Sequence, residues 1–126
     1  MISLSDLLTP WEVIEKRLNM AADADFVIGL YNPKSRKRKS NFARAIEIIR
    51  RYKADSVPVG LVKNAMRGEE EDQIVTTLGG EVMNYEDWVD MSTAILIGNG
   101  ESRIWKSPKK DIIITPRGGY HKKYDY

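Results

Sequence analysis

The chain has 126 residues, the size of one domain, and 42% of them are apolar, which excludes a disordered chain. Twenty Lys+Arg against 18 Asp+Glu leave a net charge of +2, too little for a general attraction to nucleic acid or to an anionic membrane surface. There is no cysteine and one histidine, His121, so a disulfide framework, a thiolate nucleophile, and a Cys-based or His-rich metal site are all excluded.

No apolar run approaches the roughly eighteen residues of a membrane span. Met1–Asp6 carries no basic region and no long apolar stretch, so it does not read as a signal peptide. The expected location is the cytoplasm. Helix and strand signals alternate along the chain without a Pro/Gly/Ser-rich linker, which predicts a single α/β domain over residues 1–126.

Thr9-Pro10-Trp11-Glu12 has the spacing of a capping box, with Pro10 at the first helical position. Trp11, Ile14, Leu18 and Ala21 or Ala22 then recur at helical spacing, and the predicted helix ends near Ala24. The apolar run Phe26–Tyr31, closed by Asn32-Pro33, predicts a strand buried on both faces. A helix is predicted over 40–53, with Phe42, Ala45, Ile46, Ile49 and Tyr52 as its stripe. Strands follow at Pro58–Val62 and at Gln73–Leu78, the latter stopped by Gly79-Gly80. A short helix or turn is expected within Asn84–Met91, and a strand at Thr93–Ile97 before Gly98-Asn99-Gly100. Ser102–Trp105 and Asp111–Ile114 read as a terminal hairpin, and the tail from Tyr120 is polar.

Three predicted strands end in small or polar residues: Tyr31-Asn32-Pro33, Lys63-Asn64-Ala65 and Gly98-Asn99-Gly100. Ligands of open α/β sheets bind beyond the carboxyl ends of strands, where small residues admit a ligand to the backbone. Three such loops are expected to line one crevice; the plainer reading is that Asn and Gly are common in turns. The run Lys34-Ser35-Arg36-Lys37-Arg38-Lys39 holds five bases in six positions. It reads either as a partner for a phosphate, RNA or polycarboxylate, or as a solvated loop balanced by Glu69-Glu70-Glu71-Asp72. The acidic run is expected to be solvated and not to hold a metal. Asp6 is either a general base or a cap for its own segment. No nucleophile motif, P-loop or GxGxxG is present.

The segments Ile2–Glu12 (ISLSDLLTPWE), Leu30–Arg36 (LYNPKSR), Pro58–Ala65 (PVGLVKNA), Thr76–Leu78 and Thr115–Gly118 resemble, in order, the C-terminal part of the precorrin-3B (cobalt-factor III) C17-methyltransferases of the tetrapyrrole methylase superfamily. The resemblance implies an α/β fold with a mixed sheet of about five strands flanked by helices. It also implies S-adenosyl-L-methionine as cofactor, held in a cleft between two domains, and a tetrapyrrole substrate methylated at C17 in cobalamin biosynthesis. The family's N-terminal domain, with its glycine-rich entry motif and GGDP-like loop, has no counterpart here, so a missing N-terminal half is expected.

Carried over by position, Leu30, Tyr31, Asn32, Asn64, Ala65 and Gly98 would touch the cofactor. Arg36 and Arg38 would face the carboxylates of the substrate, and Asp6 would contact the macrocycle or handle a proton. The chain departs from the family pattern at Gly29, Met66 and the doubled Gly118-Gly119. The exposed half-cleft is expected to favour a homo-oligomer. Two other readings stay open: a non-catalytic truncated paralogue acting as a dimerisation or tetrapyrrole-binding module, and a phosphate- or RNA-binding domain using Lys34–Lys39.

Overall fold

A computed structural model describes residues 1–33, 41–64, 72–79, 81–105 and 111–115. The basic run with Arg36 and Arg38, Ala65, Met66, the acids Glu69–Glu71, Gly80, Gly118-Gly119 and the tail with His121 lie outside the described residues.

Helix α1 spans Trp11–Asp23 and buries Ile14, Leu18 and Ala22. The expected capping box does not form. Pro10 itself occupies the N-cap position, with no side-chain cap bond, and its carbonyl accepts from Val13 N at 3.0 Å. That puts Thr9 one residue outside the helix and Glu12 at N2, so the reciprocal N-cap to N3 bonding cannot be made.

The helix ends in a Schellman motif whose left-handed residue is an aspartate. Asp25 has φ 57°, its amide donates to Ala22 O at 3.1 Å, and Phe26 N donates to Ala21 O at 3.0 Å. Lys53 makes this possible. Its side chain is 1% exposed, and its ammonium donates to Asp25 Oδ1 and to Phe26 O, both at 2.9 Å. Asp25 Oδ2 also accepts from Gly100 N at 3.0 Å. Because Phe26 is used in the helix stop, strand β2 covers only Ile28–Tyr31. The expected strand residues Phe26 and Val27 are exposed instead.

Helix α2 spans Asn41–Arg50 and buries Phe42, Ala45, Ile46, Ile48 and Ile49. Tyr52, expected in its stripe, lies beyond the helix and is exposed. Strands β3 (Pro58–Lys63) and β4 (Asp72–Thr77) pair antiparallel. A 3-10 helix over Val82–Tyr85 begins two residues before the expected helix or turn, and turns follow it through Trp88, inside the expected range. Strand β5 spans Thr93–Ile97, and β6 (Arg103–Trp105) and β7 (Ile112–Ile114) form the terminal hairpin. An additional two-residue strand, β1 (Ile2–Ser3), pairs parallel with β2.

The main sheet is mixed and five-stranded, in the order β1-β2-β5-β3-β4. Side chains alternate across it. Ile28, Leu30, Val59, Leu61, Ile95 and Ile97 join the buried faces of α1 and α2 in one core. The opposite face carries a cross-strand row, Gly29–Leu96–Gly60. Ile113 of β7 lies 3.4 Å from where a Cβ on Gly60 would stand, so the hairpin crosses that face.

Candidate functional site

Strand direction decides which loops meet. β5 lies between β2 and β3 and runs antiparallel to both, so β2 and β3 point the same way. Tyr31-Asn32 and Lys63-Asn64 therefore emerge at one edge. Gly98 follows Ile97, which pairs with Ile28 and Val59 at the other end of the sheet, and its amide donates to Pro58 O at 2.9 Å. The three strand-end loops do not line one crevice; two of them share an edge.

At that edge both strands end in the same way. Asn32 has φ 53° and Asn64 has φ 55°. Asparagine tolerates the left-handed region better than most residues with a Cβ. The two turns are held differently. Asn32 Nδ2 donates to Ser3 Oγ at 3.2 Å, and Tyr31 O accepts from Leu4 N at 2.9 Å. Asn64 N donates to Ser92 O at 3.2 Å. The segment through Leu4 is fixed from a second side by the buried Asn41, whose Nδ2 donates to Leu4 O at 2.8 Å.

A cavity of about 300 Å³ opens beside Asn32. Its polar wall is Ser3, Ser5, Thr9, Tyr31 and Asn32; its apolar lip is Leu7 and Leu8, 80% and 99% exposed. Asp6 sits between lining residues without lining the cavity itself. Leu30 is wholly buried in the core, so it can offer a ligand nothing from its side chain. The hydroxyl-bearing wall was missed by sequence reasoning, although the i, i+2 spacing of Ser3 and Ser5 in an extended segment points both to one side.

On the β3 side, Lys63 Nζ lies 4.2 Å from the centroid of the Trp88 ring and 3.4 Å from Asp90 Oδ2. Burial raises the pKa of the Asp90 carboxyl, but hydrogen bonds from Ser92 and the Lys63 charge outweigh it and hold the group below its ordinary value. A larger groove, about 330 Å³, lies along α2 between Glu47, Arg50, Asp55 and Met83. It is not the candidate site: no strand end reaches it, and its arginines are engaged in the Arg50–Asp55 and Arg51–Glu47 pairs, at 3.5 and 3.8 Å.

No family model matches the chain. Curated relatives do. The probable cobalt-factor III C(17)-methyltransferase of Salmonella typhimurium is 48% identical over 93% of this chain and 45% of its own length. The precorrin-3B C(17)-methyltransferase of a Sinorhizobium species is 43% identical over 92% of this chain and 44% of its own. A solved structure, the methyltransferase CobJ, superposes with a TM-score of 0.77 at 34% identity, over 91% of this chain and 45% of that one.

The chain is a homologue of the C-terminal part of the cobalt-factor III (precorrin-3B) C17-methyltransferases. It spans about half the length of these C17-methyltransferases or less; for the cobalt-factor III methyltransferase of Priestia megaterium the share is 21%. The mixed five-stranded sheet with flanking helices is the fold shared with CobJ. Among the described residues, no helix is long and apolar enough to cross a membrane.

Proposed function

We propose that this chain forms the C-terminal wall of an S-adenosyl-L-methionine-dependent methyltransferase that modifies C17 of a cobalt-factor III or precorrin-3B tetrapyrrole in cobalamin biosynthesis. The observation that carries the reading is the edge shared by two left-handed asparagines, Asn32 and Asn64, beside a cavity walled by Ser3, Ser5 and Thr9. Hydroxyls, an amide and turned-out backbone suit a neutral polar portion of an adenosyl cofactor. About 300 Å³ is at the small end of ligand sites, as one wall of a two-domain cleft should be.

When bound, the cofactor supplies a methyl group already activated by its sulfonium. The residues of this chain then bind, orient and exclude water, which accounts for a site without a nucleophile motif. Asn32, Asn64 and Ala65 hold the cofactor through backbone and small side chains. Gly98, at the opposite edge, has no place in the same cradle. Asp6 is offered to the macrocycle, and Arg36 and Arg38 neutralise its carboxylates. Leu7 and Leu8 form an apolar lip for a second methylase domain, carried on the same chain or another, and the half-exposed ring of Tyr31 beside them adds to that surface.

Calorimetry with S-adenosylhomocysteine tests this, using the chain alone and mixed with the N-terminal half of a C17-methyltransferase relative. Binding is expected with both halves present and weak or absent with this chain alone. No binding in the mixture refutes the cofactor assignment.

A further inference from the structure

The cluster at the end of β3 is not used by the cofactor pocket described above. Lys63 is the last residue of β3, and its side chain is only 22% exposed, against Trp88 and Asp90. Asp90 is tied in turn: Oδ1 accepts from Ser92 N at 2.8 Å and from Ser92 Oγ at 2.6 Å, and its own amide donates to Thr93 Oγ1 at 3.0 Å. The carbonyl of Ser92 accepts from Asn64 N. These contacts close a ring from Lys63 through Asp90 and Ser92 to Asn64, the residue next to Lys63 in the chain. A lysine serving solubility alone would extend into water, not lie over an indole with most of its stem buried.

We propose that Lys63 is the positioning residue for Asn64: its ion pair with Asp90 fixes the Asp90–Ser92 turn, and that turn clamps the Asn64 amide and holds the residue left-handed. A strained backbone conformation at a residue other than glycine persists only where its surroundings over-determine it, and this ring is part of the surrounding structure at Asn64. The consequence for ligand binding rests on the reading of Asn64 as a cofactor-side residue; the clamp itself does not.

The test uses the full chain as wild type, K63M, K63R and D90N. Methionine keeps the unbranched stem over Trp88 and removes the charge; arginine restores it. Hydrogen exchange of the Asn64 amide is read by NMR against the Leu61 amide in the middle of β3. Titration with S-adenosylhomocysteine in the presence of the complementing half is read in parallel. K63M and D90N are expected to speed Asn64 exchange about threefold relative to Leu61, the scale of a partly exposed ion pair, with affinity falling by a similar factor and K63R restoring both.

Unchanged Asn64 exchange in K63M overturns the proposal, even if affinity falls, since Lys63 would then be a direct ligand contact. Equal acceleration at Leu61 and Asn64 also overturns it, because the pair would then serve stability alone. If wild type with the complementing half binds nothing, the cofactor reading fails, and the exchange measurement still decides the clamp.

Discussion

Asn32→Ala and Asn32→Gly separate backbone from side chain at the candidate site. Asn32 has φ 53°, and among the described residues its side chain donates to Ser3 Oγ at 3.2 Å. Alanine loses that half-exposed bond, worth about 0.5 kcal/mol at the low end of its range. It also places a Cβ in left-handed backbone with no compensating polar group, about 1 kcal/mol more. The sum is about 1.5 kcal/mol. Glycine loses the same bond but adopts the conformation freely, a gain largely cancelled by its greater freedom in the unfolded chain. Its net change is within about 0.5 kcal/mol. Urea unfolding followed by circular dichroism checks this. With a slope near 1.5 kcal/mol/M, N32A should lower the midpoint by about 1 M and N32G by under about 0.3 M. S-adenosylhomocysteine affinity in the two-half mixture should survive in N32G and fall in N32A. Equal destabilisation by both variants would mean that the side-chain bond, not the turned backbone, is what matters here.

Lys53→Met should destabilise by about 1–3 kcal/mol in the same assay, because it removes the donor to the part-buried Phe26 carbonyl from a side chain only 1% exposed; the pairing with the half-exposed Asp25 adds under about 1 kcal/mol. Burial raises the Asp25 carboxyl pKa, but the hydrogen bond from Lys53, the Gly100 amide and the Lys53 charge together hold it below 3.8. A folded pKa lowered in this way gives stability that is present above 3.8 and lost as pH falls through the folded value, so midpoints should be flat near neutrality and drop in acid, less steeply in K53M. Gly98→Ala should cost about 1–3 kcal/mol, since its Cβ would stand 2.6 Å from Ser102 Cβ, and Ser102 Oγ is committed to Asn99 N at 2.9 Å. Gly29→Ala should cost under about 1 kcal/mol, because the new Cβ clashes with the end of the flexible, exposed Met1 side chain and meets Leu96 Cδ2 at an ordinary 3.5 Å; a larger loss by thermal melt would mean that Met1 cannot move aside. Replacing Leu7 and Leu8 together with serine should leave the melting temperature within about 2 °C, as both side chains bury little, while weakening association with the second half; a large drop would place them in the core.

The elements legible in the sequence are those whose signal is local. Thr93–Ile97 is an apolar run closed by Gly98-Asn99-Gly100, and the strand has those bounds. Phe42, Ala45, Ile46 and Ile49 recur at helical spacing, and all are buried. The failures come from partners distant in the chain. Phe26 and Val27 look like strand, but Lys53, 27 residues on, stabilises a helix stop that consumes Phe26. A two-residue strand such as β1 has no periodicity to read; it exists because Ile2 and Ser3 find Leu30 and Tyr31.

The site follows the same division, and strand direction is the term a linear reading lacks. An apolar run looks the same whichever way it points, so three strand ends looked equivalent. Once β5 enters between β2 and β3 in the opposite sense, Gly98 is carried to the far edge, and Asn32 and Asn64 are left as the pair that shares one. What marks this edge is then a backbone state and not a reactive side chain. Both residues are asparagine, a residue type that can stand left-handed at a strand end and still offer a polar group. The proposed methyl transfer depends on positioning and asks for that kind of residue, so substitutions that keep the turn should matter less than those that move it.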